Sequence, residues 1–293
     1  MCRLYGYRSE RPTRVECGLI RSQNSLLEQS AKDQRGLANA HGWGIAYYLG
    51  DQLRVRRRVP PASRDREFRV VAEDIRTHLL VAHVRRATIG DVSLANVHPF
   101  TVGRWAFAHN GTVPGFERLG PRLAAETLPG LLRKRRGTTD SELTFLWILS
   151  AIVRKCPDAL KQGVPAEVLA RCLGDAIDRI LHIRREMRVR EKPFLNFLLT
   201  DGRGLAASRV GSSLHVLERQ VLGACELCRE CHCERCRECR HRHETPVACR
   251  AVAVASEPLT GESWRAVPEG CIVVVNEACR LELLSCIRAE LPG

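Results

Sequence analysis

Two helical periods stand in the middle of a chain whose other patterns are short alternating strands, and that order limits the folds open to it. In TDSELTFLWILSAIVRKC, Thr139 takes the N-cap position with Glu142 three residues later, ahead of apolar residues at helical spacing. AEVLARCLGDAIDRILHIRREM carries the second amphipathic period. Before them, HGWGIAYYLGDQLRVRRRV holds two alternating runs broken at Gly50-Asp51, which predicts a hairpin. HLLVAHVRRAT and RWAFAHNGTV read as strands, the second running into Asn110-Gly111, and EFRVVAEDIRTH reads as a short helix over 67–78. After the helices, FLNFLLTDGRGLAASR, SSLHVLER, RAVAVASEPLTG and CIVVVNEACRLELL return to strand patterns. Strands, then helices, then strands predict a layered α+β sandwich rather than a regular βαβ alternation.

The 293 residues suffice for a full core without covalent staples. No apolar run approaches the roughly 20 residues that span a bilayer, so a membrane partner is not expected. The amino terminus lacks a basic-then-apolar leader, which points to the cytoplasm. The net charge of +13 comes mostly from arginine. These arginines are spread along the chain and do not alternate with aromatic residues as a stacking platform would, so nucleic acid is not the expected partner.

Fourteen cysteines are unevenly distributed. Cys225, Cys228, Cys231, Cys233, Cys236 and Cys239 fall in CELCRECHCERCRECRHRH, followed by His241 and His243. Paired C-x2-C steps present thiolates to zinc. Six thiols exceed one tetrahedral site, so one zinc, two zincs, a soft metal or a metal-free polar loop all remain open. The stretch 225–249 reads as an insertion within one domain spanning 2–293.

MCRLYGY places a cysteine directly behind the initiator methionine. Methionine removal would leave a thiol and a free α-amine on one residue. Their ordinary pKa values, about 8.5 and about 8, let the amine take the thiol's proton, and amide cleavage needs such a nucleophile and base. In HNG, the Asn110 amide and the Gly111 N–H can meet a developing oxyanion, although Asn-Gly alone also reads as a plain turn. HVRRAT offers Arg85 as a planar fork for a carboxylate, with the Thr88 hydroxyl beside it. Asp140 suits an ammonium group and equally suits a helix N-terminus.

MCRLYGY, QRGLANAHGWGIAYY, VAHVRRATIGDVSLANVHPF with AFAHNGTV, and TTDSELTFLWIL follow one another across residues 2 to 147. Together they resemble the class II glutamine amidotransferase domain, a branch of the N-terminal nucleophile hydrolases. The resemblance is strongest to stand-alone members related to γ-glutamyl hydrolases of glutathione and ergothioneine metabolism. LNFLLTDG and SEPLTGESW share it, so it covers most of the chain outside the cysteine cluster. It implies a four-layer αββα sandwich of two antiparallel sheets flanked by helices. The implied reaction is cleavage of the γ-glutamyl amide of glutamine or another γ-glutamyl compound through a thioester. Cys2, Asn110 and Gly111 would be catalytic; Arg85, Thr88, Asp140, Gly36, Trp43 and His109 would surround the substrate. In the family motif the arginine two residues after the histidine binds the carboxylate, which selects Arg85 over Arg86. No cofactor is implied for catalysis, and zinc in the cluster would be structural.

Two positions stand apart. Relatives commonly carry an acid just before GWG where this chain has His41, and His98 reads as a packing histidine. Beyond residue 150 there is no glycine-rich phosphate loop or other synthase motif. Independent hydrolysis is therefore expected ahead of ammonia donation to a separate synthase partner. A zinc- or nucleic-acid-binding regulator is the rival from another class; it leaves the ordered segments around Cys2 without a purpose.

Overall fold

The computed structural model describes residues 2–222 and 247–285. Its strands are β1 (Arg3–Arg14), β2 (Trp43–Leu49), β3 (Gln52–Arg58), β4 (Arg76–Val84), β5 (Phe100–Val102), β6 (Trp105–Thr112), β7 (Phe194–Thr200), β8 (Leu205–Ser208), β9 (His215–Leu222), β10 (Val247–Ala255), β11 (Arg265–Ala266), β12 (Cys271–Val275) and β13 (Leu281–Ser285). The helices are α1 (Leu26–Ala31), α2 (Arg66–Asp74), α3 (Phe116–Glu126), α4 (Pro129–Leu132), α5 (Asp140–Lys155), α6 (Ala159–Gln162) and α7 (Ala166–Glu186). One sheet has the order β11-β9-β10-β1-β4-β2-β3 and the other β13-β12-β8-β7-β6-β5. Their strand pairs are antiparallel.

Strand periodicity sorts side chains into three apolar layers. Leu4, Val81, Ala108, Leu198, Val252 and Val273 lie between the sheets. On the outer face of the first sheet, Tyr5, Ile45 and Leu80 pack with Leu26 and Phe68 from α1 and α2. On the outer face of the second, Phe107 and Phe197 pack with Phe145 and Ile177 from α5 and α7. Helix, sheet, sheet, helix is the expected four-layer architecture. Gly6 lets the sheets approach, because a Cβ there would stand 2.9 Å from Leu198 Cδ1.

The Gly50-Asp51 turn joins β2 to β3, with Leu49 opposite Gln52. Thr139 caps α5 by accepting the Glu142 N–H at 3.2 Å. The Glu142 carboxylate does not complete a reciprocal box; it accepts from the Arg136 and Gly137 amides at 3.0 and 2.6 Å. The helix expected over 67–78 stops at Asp74. The Thr77 hydroxyl beyond it accepts the Tyr48 N–H at 3.2 Å and donates to the Tyr48 carbonyl at 2.7 Å. Pairing with β2 therefore outweighs local helical preference from Arg76 onward. The cysteine cluster, Cys225 to Cys239, and His241 and His243 lie outside the described residues.

Four chain segments meet at one end of the sandwich. β1 begins opposite the end of β4, with Arg3 across from Val84, and β6 reaches Asn110 opposite Asn196. The N-terminus of α5 joins them, because Asp140 accepts the Val113 N–H just past β6 at 2.7 Å.

Phe145→Ala should destabilise the protein by about 3–5 kcal/mol, as expected for emptying a buried aromatic site. Phe145 is fully buried and stacks on Phe107 with centroids 5.3 Å apart. Denaturant unfolding reads the change. Val70→Ala on the exposed face of α2 should stay within about 0.5 kcal/mol of the parent.

Candidate active site

Cys2 precedes β1 and is buried. Its sulfur accepts the Arg86 N–H at 3.1 Å and donates to the Arg86 carbonyl at 3.3 Å. Burial pushes the thiol up from its ordinary value, against the Arg86 N–H and the charges of Arg85 and Arg3. A thiol in this setting is mostly protonated at neutral pH, so using it as a nucleophile requires a nearby base.

A buried charge cluster holds this chain start. Arg3 donates to the Cys2 carbonyl at 2.9 Å and pairs with Asp33 at 2.8 Å and Glu257 at 2.5 Å. Asp33 in turn accepts the Arg35 and Leu37 amides at 2.9 and 3.0 Å and the Asn39 side-chain amide at 3.3 Å. Burial raises its carboxyl, but these donors and Arg3 outweigh it and hold it below the ordinary carboxylate range. Asp33 so anchors the turn that carries Gly36, whose φ is +76°. Glu257 accepts the Gln34 N–H of the same turn at 3.3 Å.

Arg85 follows β4 and is buried. Its guanidinium donates to the carbonyls of Ile89, Gly90 and Asp91 at 2.9, 3.3 and 3.0 Å, fixing the loop after HVRRAT. Thr88 meets Thr112 at 3.3 Å between the two hydroxyl oxygens. His41 accepts the Ala87 N–H on Nδ1 at 2.9 Å, so the residue that departs from the family pattern braces the segment touching the Cys2 sulfur.

Asn110 and Gly111 end β6 as expected. The Asn110 amide nitrogen donates to the Ser256 hydroxyl oxygen at 3.1 Å. Gly111 needs its missing side chain: a Cβ would stand 1.8 Å from the Phe194 carbonyl oxygen. His109 points into the helical side, with Nε2 donating to that same carbonyl at 2.8 Å. This fixes the tautomer and leaves Nδ1 for the Ser141 hydroxyl at 2.9 Å. Burial lowers His109, against Asp140 and the Phe194 carbonyl, which raise it. Asp140 accepts the Ser141 amide at 2.7 Å and lies 3.0 Å from the Ser141 hydroxyl oxygen, whose one proton goes either to this carboxylate or to His109 Nδ1.

Cys2, Arg85, Thr88, Asn110, Gly111 and Asp140 therefore occupy one end of the sandwich, with His109 behind them. Trp43 differs. Its indole is fully buried in the outer core, edge-on to Phe68 at 5.0 Å, and its N–H donates to Asp65 at 2.9 Å. Packing and that hydrogen bond use the whole side chain. His98 is also fully enclosed, 4.3 Å from His83 and 4.5 Å from Phe100 between ring centroids, in keeping with a packing residue.

A family model for class II glutamine amidotransferases matches residues 1–288. The chain belongs to that family. This amidotransferase is an enzyme of the N-terminal nucleophile type. It is 29% identical over 299 residues to a protein of Saccharomyces cerevisiae named probable glutamine amidotransferase DUG3, spanning 94% of this chain and 82% of the yeast protein. It is 28% identical over 223 residues to the γ-glutamyl-hercynylcysteine sulfoxide hydrolase of Mycolicibacterium smegmatis, spanning 75% of this chain and 83% of that enzyme. Among solved structures, a glutamine aminotransferase class-II domain protein from Silicibacter pomeroyi superposes with a TM-score of 0.59 at 24% identity, covering 96% of this chain and 98% of that one. Among the amidotransferase's described residues, no helix is long and apolar enough to cross a membrane, and no group of three or more His, Cys, Asp or Glu could hold a metal.

Arg3, Asp33, Ser256 and Glu257 are the neighbours of Cys2 and Asn110 that sequence reasoning does not single out. SEPLTGESW is visible as a motif, but its contacts depend on partners far away in the chain.

The amidotransferase should lose stability as pH falls from about 6.5 toward 4. Burial holds the His83 ring down to about 3 and also lowers His98. Between the folded and unfolded values the unfolded chain binds more protons, so acid favours unfolding. Urea unfolding at pH 7 and 4.5 should show this loss, and His83→Met should flatten it.

Proposed function

We propose that this enzyme hydrolyses γ-glutamyl amides with Cys2 as its processed amino-terminal residue. The observation that carries the reading is the buried Cys2 thiol, held by the Arg86 backbone at the end of the sandwich that also carries Asn110, Arg85 and Asp140. Removal of Met1 gives Cys2 a free α-amine, the base its raised thiol needs. The amine takes the thiol proton, directly or through water, and the sulfur attacks the γ-carbonyl carbon. The Asn110 amide and the Gly111 N–H stabilise the oxyanion. The C–N bond then breaks, the leaving amine or ammonia takes the proton, and a γ-glutamyl thioester remains on Cys2. Water attacks the thioester and releases glutamate.

Arg85 and Thr88 hold the substrate α-carboxylate, and Asp140 holds its α-ammonium. Gly36 and the backbone beside Trp43 form the nearby wall, with His109 fixing the β6 end through Ser141. The name of the mycobacterial relative supports a γ-glutamyl compound as substrate. Membership among the glutamine amidotransferases favours glutamine itself, with ammonia passed to a synthase partner, as the second reading. Catalysis needs no cofactor in either case, and the cytoplasm supplies such substrates. The cysteine spacing supports a structural zinc, which metal analysis should find bound and which Cys228→Ser with Cys231→Ser should remove.

Purified enzyme should release glutamate from glutamine or a γ-glutamyl peptide, with an intact mass lacking one methionine. Cys2→Ala should lower kcat by at least about a thousandfold, as removal of a covalent nucleophile does. Equal release by parent and variant defeats the proposal. Asp140→Asn should lower kcat/KM by about 10- to 100-fold, the value of one lost charge-assisted contact. The ratio of glutamine to γ-glutamyl-peptide turnover separates the two readings.

A further inference from the structure

The Ser256 hydroxyl makes two contacts, and its oxygen is the acceptor in both. It accepts the Leu4 N–H at 3.0 Å and the Asn110 amide N–H at 3.1 Å. Among the described residues the hydroxyl proton has no acceptor. The Asn110 carbonyl oxygen is buried and likewise has no hydrogen-bond partner among them. Two unmet requirements thus face each other across one contact. Leaving a buried acceptor unpaired is unfavourable.

A half-turn of the Asn110 amide meets both and leaves the amide N–H donors open until a substrate oxygen accepts them. The carbonyl oxygen and amide nitrogen exchange places. The oxygen then accepts the Ser256 O–H, and Ser256 keeps the Leu4 N–H. The nitrogen, with both protons, turns to where the oxygen was.

We propose that Ser256 is a positioning residue that sets this orientation. It rests on the proposed function, in which Asn110 donates to the oxyanion. The serine holds the amide by its oxygen and so aims the N–H donors at the reacting carbonyl. Its location serves this purpose: it directly follows β10, its backbone N–H donates to the Leu4 carbonyl at 3.1 Å, and its own carbonyl accepts the Ser213 hydroxyl at 2.9 Å. Leu4 lies two residues from the nucleophile. One fixed hydroxyl therefore registers the oxyanion donor against the strand that carries Cys2.

The test compares the parent with Ser256→Ala and Ser256→Thr, the threonine keeping the hydroxyl. Ser256→Ala should lower kcat for glutamate release by about 10- to 100-fold, part of the loss seen when an oxyanion donor is removed outright. KM should stay within about threefold, because no contact to the glutamyl backbone is touched. Alkylation of Cys2 by iodoacetamide, which needs no oxyanion donor, should proceed at the parent rate, and Ser256→Thr should recover most of kcat. Parent-like kcat in Ser256→Ala overturns the inference. So does a fall in kcat matched by equal falls in alkylation rate and melting temperature, which marks a strand prop alone. A parent enzyme that releases no glutamate overturns the proposed function and this inference with it; an active parent with an active Ser256→Ala overturns this inference alone.

Discussion

The guanidinium of Arg3, enclosed between Asp33 and Glu257, is the interaction on which the functional end of this molecule depends. A charge taken out of water is tolerated only when opposite charges and hydrogen bonds surround it. Here the surroundings are the useful part. One carboxylate shapes the 33–39 turn, the other lies two residues beyond β10 and accepts from the same turn, and the same cation grips the carbonyl of Cys2. A flexible chain start thus becomes a fixed element. Removing Arg3 would leave two buried carboxylates without their cation beside Cys2.

The rest of the scaffold supplies rigidity around that cluster. Close-packed apolar layers on both faces of each sheet keep strand ends from sliding. Many of the surplus arginines lie across gaps between elements. Arg122 meets Glu186 and Arg179 meets Glu126 between α3 and α7, and Arg219 grips Glu262 beside β9. Solvent-facing pairs of this kind add little stability individually. They give part of the arginine content a role within the fold, while the net charge of +13 stays unbalanced.

Legibility in sequence followed the distance over which each feature is determined. The Thr139 cap and the Gly50-Asp51 turn are local, and both are found where the pattern puts them. The end of α2 is not local, because Thr77 commits to β2 through Tyr48, 29 residues earlier. Glu142 shows the same effect, since its carboxylate turns to the preceding loop. The succession of strands, helices and strands pointed to a layered sandwich, the family resemblance supplied the four layers, and the ordered motifs drew attention to Cys2, Arg85, Asn110 and Asp140. Trp43 was misleading because a glycine-flanked aromatic looks like a pocket wall, whereas its indole N–H is taken by Asp65. Ser256 and Arg3 escaped notice for a simpler reason. Asn110 and Ser256 are 146 residues apart, and no spacing rule connects them.

The ladder between β9 and β10 has a separate consequence. His215 lies opposite Ala255 at the end near Ser256, while Leu222 lies opposite Val247 at the other. The two strand ends that flank the cysteine-rich stretch are therefore neighbours, about eight residues of strand, or some 25 Å, from the Cys2 end of the sandwich. Joining two neighbouring strand ends costs little more with a long segment than with a short one. Such a junction is a graft point: evolution, or an engineer, could exchange what is attached without reaching the far end of the sheet.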